Sequence, residues 1–85
     1  LDTIRQLFVD AMNVFIHLVL NPDTRRQASS LLVKMSGVTQ SLLDALPYLD
    51  PAIQETVLGE VEWQTPTLRH LMNMLGGPQP LNIFA

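Results

Sequence analysis

The chain has 85 residues, of which 47% are hydrophobic and 15% charged, with a formal net charge of −3 and no cysteine. This length corresponds to one domain or to a piece of a larger one. Soluble domains average about 25% charged residues, so we expect exposed apolar patches that bind other molecules. The five basic residues form no run, which excludes the dense basic face that nucleic-acid binding needs. The lack of cysteine excludes disulfides and thiolate metal sites and, together with the missing signal-peptide pattern, favours an intracellular location.

Residues 3–20 carry the strongest pattern in the sequence. Their polar side chains Gln6, Asp10, Asn13 and His17 recur at steps of three and four, which places them on one narrow stripe of an α-helix. Nearly all other residues of the segment are apolar, whereas an ordinary surface helix has an apolar stripe only a little wider than about 100°. We therefore expect protein to enclose this helix over most of its circumference. The polar residues argue against a membrane span, because a charge at the bilayer centre costs at least about 2.5 kcal/mol.

A cap residue followed by proline is a typical helix start, since proline fits the first helical position. The pair occurs three times, at Asn21-Pro22, Asp50-Pro51 and Thr65-Pro66. Gly37 and Pro47 are typical helix stops, and Thr39 is a typical N-cap residue between them. Gly59 weakens a helix by about 1 kcal/mol relative to Ala, so we expect an end or a bend near it.

These signals predict an all-α fold, either a compact bundle or a short helical-repeat array of four to five helices around a mostly buried first helix. The predicted helices cover residues 3–20, 22–36, 40–46, 51–61 and 66–75. In this prediction residues 1–77 form a single helical domain, and residues 78–85 form an apolar C-terminal tail or linker.

The second predicted helix resembles a known repeat. Arg25-Arg26-Gln27-Ala28, followed by Leu32, Met35 and Gly37, is similar to the inner helix of a HEAT or armadillo repeat. Residues 20–23 resemble the acidic turn inside such a repeat. The resemblance covers about a quarter of the chain and departs from the pattern at Thr24, where Val is usual. It implies a piece of a right-handed stack of helix pairs that serves as a protein-binding scaffold.

The sequence contains no pattern typical of catalysis. Asp10 and His17 are two helical turns apart, about 10 Å along the axis, which is too far for both to bind one metal ion without other ligands. We expect the polar stripe to be the solvent-facing edge of the first helix or a small hydrogen-bond network. His70 lies beside an apolar face that is complete without it, so we expect it to be solvated. The chain is therefore predicted to be non-enzymatic and to need no metal or cofactor.

The residues that favour binding are apolar. Met74 lies off the apolar face of its helix, and Met is favoured in grooves that accept varied apolar helices. Trp63 lies near a weak helix end, where it either covers the core or anchors a partner. The candidate partner-binding residues are Trp63, Met74, Leu81, Ile83 and Phe84.

The first functional hypothesis is a non-enzymatic interaction module, that is, a scaffold, adaptor or oligomerisation domain. It would bind another protein or a second copy of itself through exposed apolar helix surface. One alternative is a structural segment of a larger α-solenoid. The other is a carrier or chaperone-like groove for hydrophobic peptide or lipid.

Overall fold

The structure is a computed structural model that describes residues 2–76. These residues form three α-helices, α1 (Asp2–Leu20), α2 (Arg25–Ala45) and α3 (Pro51–Met74), with a 3-10 helix, Leu46–Tyr48, before α3. No strand occurs in this part of the chain, so the all-α prediction is confirmed. The helix α2 packs against both other helices, and α1 and α3 also meet each other. The predicted domain boundary at residue 77 lies outside the described residues.

One apolar cluster joins the three helices. Phe15, Leu32 and Leu68 come from α1, α2 and α3 respectively, and all three are fully buried. The other buried members of the cluster are Phe8, Val19, Ala28, Met35 and Leu71. Within each helix these residues are three, four or seven positions apart, so each helix turns one stripe toward the core.

The prediction that the first helix is mostly buried is wrong for the described chain. In α1 the buried residues are Phe8, Phe15 and Val19. By contrast, Leu7 and Val14 are 63% and 51% exposed. The physical reason is the number of neighbours. In residues 2–76 only α2 and α3 pack against α1, and two helices do not cover an apolar arc wider than half of its circumference.

The predicted break between a second helix (22–36) and a third (40–46) is also wrong. The helix α2 continues through Gly37 and Thr39 to Ala45. Gly37 lies in the middle of this helix on its exposed side. A Cβ atom added there would have no other atom within 4 Å. Thr39 is fully buried and donates a hydrogen bond to the side-chain oxygen of Gln64 on α3. It is therefore a core residue and not an N-cap.

The start of α2 lies later than the Asn21-Pro22 signal indicates. Residues 21–24 form a turn in which the side-chain oxygen of Asn21 accepts a hydrogen bond from the Asp23 N–H at 3.0 Å. Asn commonly stabilises turns in this way. The Thr24 hydroxyl donates to the Leu18 carbonyl oxygen at 2.7 Å, which satisfies one of the carbonyls left free at the end of α1.

The last two predicted helices, 51–61 and 66–75, are one continuous helix, so the prediction of four to five helices is wrong in number. Pro66 lies inside α3 and leaves the Glu62 carbonyl without its N–H donor. Both residues are exposed, so the lost hydrogen bond lies on the solvent side of the helix. Gln64 and Leu68, on either side of Pro66, are fully buried. Their packing keeps α3 continuous against a proline cost of about 3 kcal/mol.

Arg25 closes the end of the molecule where α1 and α3 finish. Its guanidinium donates to the carbonyl oxygens of Leu75 at 2.5 Å and of Val19 and Met74 at 3.3 Å. Terminal helix carbonyls lack intrahelical partners and favour a positive charge nearby. Gly76 has a φ of +103°, and a Cβ there would lie 3.3 Å from the same guanidinium. This turn therefore favours glycine.

Candidate functional site: an apolar groove between α1 and α2

An apolar groove with a volume of about 260 Å³ lies between the first two helices, and we name it the α1–α2 groove. Its lining residues are Ile4, Leu7, Phe8, Ala11, Leu31, Lys34, Met35 and Val38. Phe8 and Met35 are buried and form its floor, whereas Leu7 and Val38 at its edges are 63% and 43% exposed. All lining residues except Lys34 are apolar, so the groove favours an apolar occupant.

The sequence spacing explains why these side chains share one groove. On α1 the lining residues recur at steps of three and four from Ile4 to Ala11, and on α2 they recur in the same way from Leu31 to Val38. No residue of α3 lines the groove in the described structure. The helix α3 instead contacts the side of α1 that carries Arg5. The groove therefore lies on a face of the α1–α2 pair that α3 leaves open.

The groove carries a positive charge on its α2 edge, and a negative charge lies next to its α1 edge. Lys34 lies on the α2 edge. Asp10 on α1 is exposed, lies three residues after Leu7, and accepts a hydrogen bond from the Gln6 side-chain amide at 2.9 Å. Neither Lys34 nor Asp10 forms an ion pair within residues 2–76. Both charges are therefore available to a molecule that binds the groove.

Trp63 lies between α1 and α3, away from the groove. Its ring meets the Phe8 ring edge to face, with centroids 5.4 Å apart, and the Arg5 guanidinium lies 4.8 Å from its centre. Arg5 also contacts the Glu60 carboxylate at 2.8 Å. Trp63 is half-buried and covers one side of the core, which is one of the two roles expected from the sequence. Contact between Trp63 and a partner stays a prediction.

Met74, the other predicted site residue in the described part of the chain, does not lie beside Trp63. Met74 is half-buried and packs against the core cluster near the end of α3. It is eleven residues from Trp63, about 16 Å along the helix. Leu81, Ile83 and Phe84 lie outside the described residues. The two described residues of this set, Trp63 and Met74, therefore do not form one site.

Sequence reasoning missed the residues of the groove. The expected enclosure of the first helix buries Leu7, and the predicted break between residues 36 and 40 contains Val38. One signal was present: Leu31, Met35 and Val38 keep helical spacing straight through Gly37. Continuous α2 and its apolar edge follow from that spacing once the glycine is treated as helical.

The polar stripe of α1 does not form a binding pocket with other described residues. Asp10, Asn13 and His17 are all exposed, as expected for a solvent-facing edge. Within residues 2–76 no three His, Cys, Asp or Glu side chains lie close enough to hold a metal ion together.

The apolar character of α1 also bears on membranes. Among the described helices, α1 is long and apolar enough to cross a membrane, by length and composition alone. Core helices of soluble proteins and signal sequences share these two properties. In this structure Phe8, Phe15 and Val19 of α1 belong to the apolar core.

No family model, curated protein or solved structure matches this chain. The geometry of the α1–α2 groove is therefore the basis for proposing a function.

Proposed function

We propose that the chain is a non-enzymatic protein-interaction module whose α1–α2 groove binds an apolar helical surface. The observation that carries this proposal is the exposure of Leu7 and Val38 at the edges of a groove with an apolar floor. Removing apolar surface from water contributes about 25 cal/mol per Å². Binding of a partner that covers these edges is therefore stabilised by burial of the apolar surface that Leu7 and Val38 expose in the single chain.

The shape of the groove favours a helix as the occupant. Its two walls are adjacent helices, and a third helix fits between them by the ridges-into-grooves packing that joins helices in protein cores. The lining from Ile4 to Ala11 spans eight residues, about 10 Å along α1. That length accepts apolar side chains at positions i, i+4 and i+7 of a partner helix.

Charge at the groove favours a particular orientation of the partner. Lys34 on the α2 edge attracts a carboxylate, and Asp10 beside the α1 edge attracts a cation. Exposed charges of this kind contribute more to orientation and association rate than to affinity. A partner helix with an acidic residue on one flank and a basic residue on the other fits this pattern.

The α-solenoid alternative has a separate observation in its favour. Ile53 and Leu58 on α3 are also exposed, on a helix that does not line the groove. A segment of a solenoid is covered by neighbouring repeats on two faces, which would bury both surfaces. In that case the 85-residue chain alone would unfold broadly, and flanking repeats would restore a sharp transition.

Fluorescence anisotropy with a labelled amphipathic peptide helix of about 15 residues tests the proposed function. The chain is expected to bind the peptide, and the Leu7→Lys variant to bind it about tenfold more weakly, equivalent to about 1.4 kcal/mol. Leu58→Lys is the matched control, because Leu58 is exposed on α3. Absence of binding at a concentration where the chain is monomeric, or equal loss in both variants, would contradict the proposal. Binding of a fatty acid but not of the peptide would support the carrier alternative instead.

A further inference from the structure

We infer that the occupant which the α1–α2 groove fits best is a second copy of this chain, packed groove against groove about a twofold axis parallel to the helices. This inference rests on the proposed function, because it names the partner of the same groove. It follows from the positions of the apolar and charged residues along the helix axes. We call the position of a residue along these axes its level.

The level of each residue follows from the antiparallel pairing of α1 and α2. The helices are joined by the turn at residues 21–24, so residues whose numbers add to about 45 lie at the same level. The lining shifts this pairing slightly, since residues 4–11 of α1 face residues 31–38 of α2, whose numbers add to 42. One residue rises about 1.5 Å along a helix. Leu7 therefore lies within about 5 Å of the level of Val38, and Asp10 lies within about 3 Å of the level of Lys34.

A twofold axis parallel to the helices places the α1 edge of one copy against the α2 edge of the second copy. The rotation does not change the level of any residue. Leu7 of one copy then meets Val38 of the second copy, and the reverse contact forms at the same time. Such reciprocal contacts are the property of a twofold interface. Both side chains are exposed in the single chain, and each would be covered by an apolar residue on the other copy.

The charges select this axis over the alternative. The same rotation places Asp10 opposite Lys34 of the second copy, which gives two symmetric pairs of opposite charge. An axis perpendicular to the helices would instead bring each edge onto the same edge of the other copy. Lys34 would then share an edge with Lys34 of the second copy, and Asp10 would share an edge with Asp10, so neither charge would meet an opposite one.

The resulting assembly is a four-helix bundle made of two α1–α2 pairs. Each α1 packs antiparallel to α2 of the second copy, as in bundles whose helices cross at about 20°. Val14 lies seven residues after Leu7, on the same side of α1, and is also exposed. The dimer thus encloses the apolar arc of α1 that α2 and α3 leave open in the single chain.

Sedimentation velocity of the full chain over a range of concentrations tests the inference by charge exchange. The wild-type chain is expected to be a dimer that dissociates on dilution. Lys34→Glu and Asp10→Lys are each expected to raise the dissociation constant about tenfold, because each turns two attractive pairs into repulsive ones. The double variant restores opposite charges and is expected to return to within about threefold of the wild-type value. Leu58→Lys on α3 is the control and is expected to leave the dimer unchanged.

Three outcomes would overturn the inference: a monomer at all concentrations up to about 1 mM, single variants that do not weaken the dimer, or a double variant that does not recover. Loss of the dimer in Leu58→Lys would place the interface on α3 and overturn it as well. A monomeric chain that still binds the amphipathic peptide would remove the second copy as partner and leave the proposed function standing. A chain that neither dimerises nor binds the peptide would contradict both.

Discussion

The Arg5 guanidinium on α1 lies 2.8 Å from the Glu60 carboxylate on α3 and 4.8 Å from the centre of the Trp63 ring. Glu60 is buried, and its second oxygen has no hydrogen-bond partner among the described residues. A buried carboxylate that loses its cation is strongly destabilising. Arg5 therefore offsets the charge of Glu60 and also lies over the ring of Trp63, so that one side chain of α1 contacts two residues of α3.

Replacing Arg5 by Leu is expected to lower the free energy of unfolding by about 1–3 kcal/mol, because Glu60 stays buried without its cation. The lower part of this range is expected, since Arg5 is about half exposed. Urea unfolding followed by Trp63 fluorescence measures the change. Arg26→Leu is the control, because Arg26 is exposed on α2. Adding Glu60→Leu to Arg5→Leu should recover most of the loss, and equal effects of Arg5→Leu and Arg26→Leu would contradict the role of the ion pair.

Gly37→Ala is expected to stabilise the chain by about 0.5–1 kcal/mol, because Gly37 is an exposed position inside α2 with open space at its Cβ. Thermal unfolding followed by circular dichroism measures this. Gly76→Ala is the contrasting variant. Its φ of +103° is unfavourable for alanine, so it is expected to destabilise. A loss of stability in Gly37→Ala would show that a helix ends at Gly37 after all.

Thr39→Val is expected to cost about 1–3 kcal/mol, because it removes the donor to the fully buried Gln64 oxygen. Urea unfolding measures the loss. Thr56→Val is the control, since the Thr56 hydroxyl bonds only its own helix at an exposed position. The pair Thr39→Val with Gln64→Leu should be closer to wild type than Thr39→Val alone. A Thr39→Val variant as stable as Thr56→Val would contradict this account.

Ala11→Leu is expected to fill part of the α1–α2 groove, because Ala11 is a small, half-buried lining residue. Binding of the amphipathic peptide should weaken about tenfold, while the unfolding temperature stays unchanged or rises. Anisotropy and thermal unfolding on the same sample separate the two effects. Unchanged peptide affinity in a folded Ala11→Leu protein would place the binding surface elsewhere.

The sequence predicted the helical class and the span of the first helix, but it predicted a false break within each of α2 and α3 and started α2 three residues too early. A glycine in a helix costs about 1 kcal/mol and a proline about 3 kcal/mol. Such local costs are smaller than the gain from burying apolar residues such as Met35, Leu68 and Leu71, which fixes α2 and α3 as continuous helices. Whether a glycine or proline ends a helix depends on tertiary contacts that a single segment does not contain.

The candidate site was harder to predict for a related reason. The pattern of residues 3–20 gives the width of the apolar arc of α1, but not how many helices are available to cover it. Leu7 and Val14 lie on the part of that arc that α2 and α3 do not reach. The candidate site includes this uncovered part of the apolar arc of α1. Its position depends on how the three helices pack against one another.

Methyl NMR spectroscopy of Leu7 and Val38 tests most directly whether the α1–α2 groove is a binding surface. On addition of the amphipathic peptide, the methyl resonances of these two residues are expected to shift together with that of Met35, while those of Ile53 and Leu58 on α3 stay in place. Shifts confined to Ile53 and Leu58, or no shifts at any of these methyl groups at saturating peptide, would contradict the proposed role of the groove.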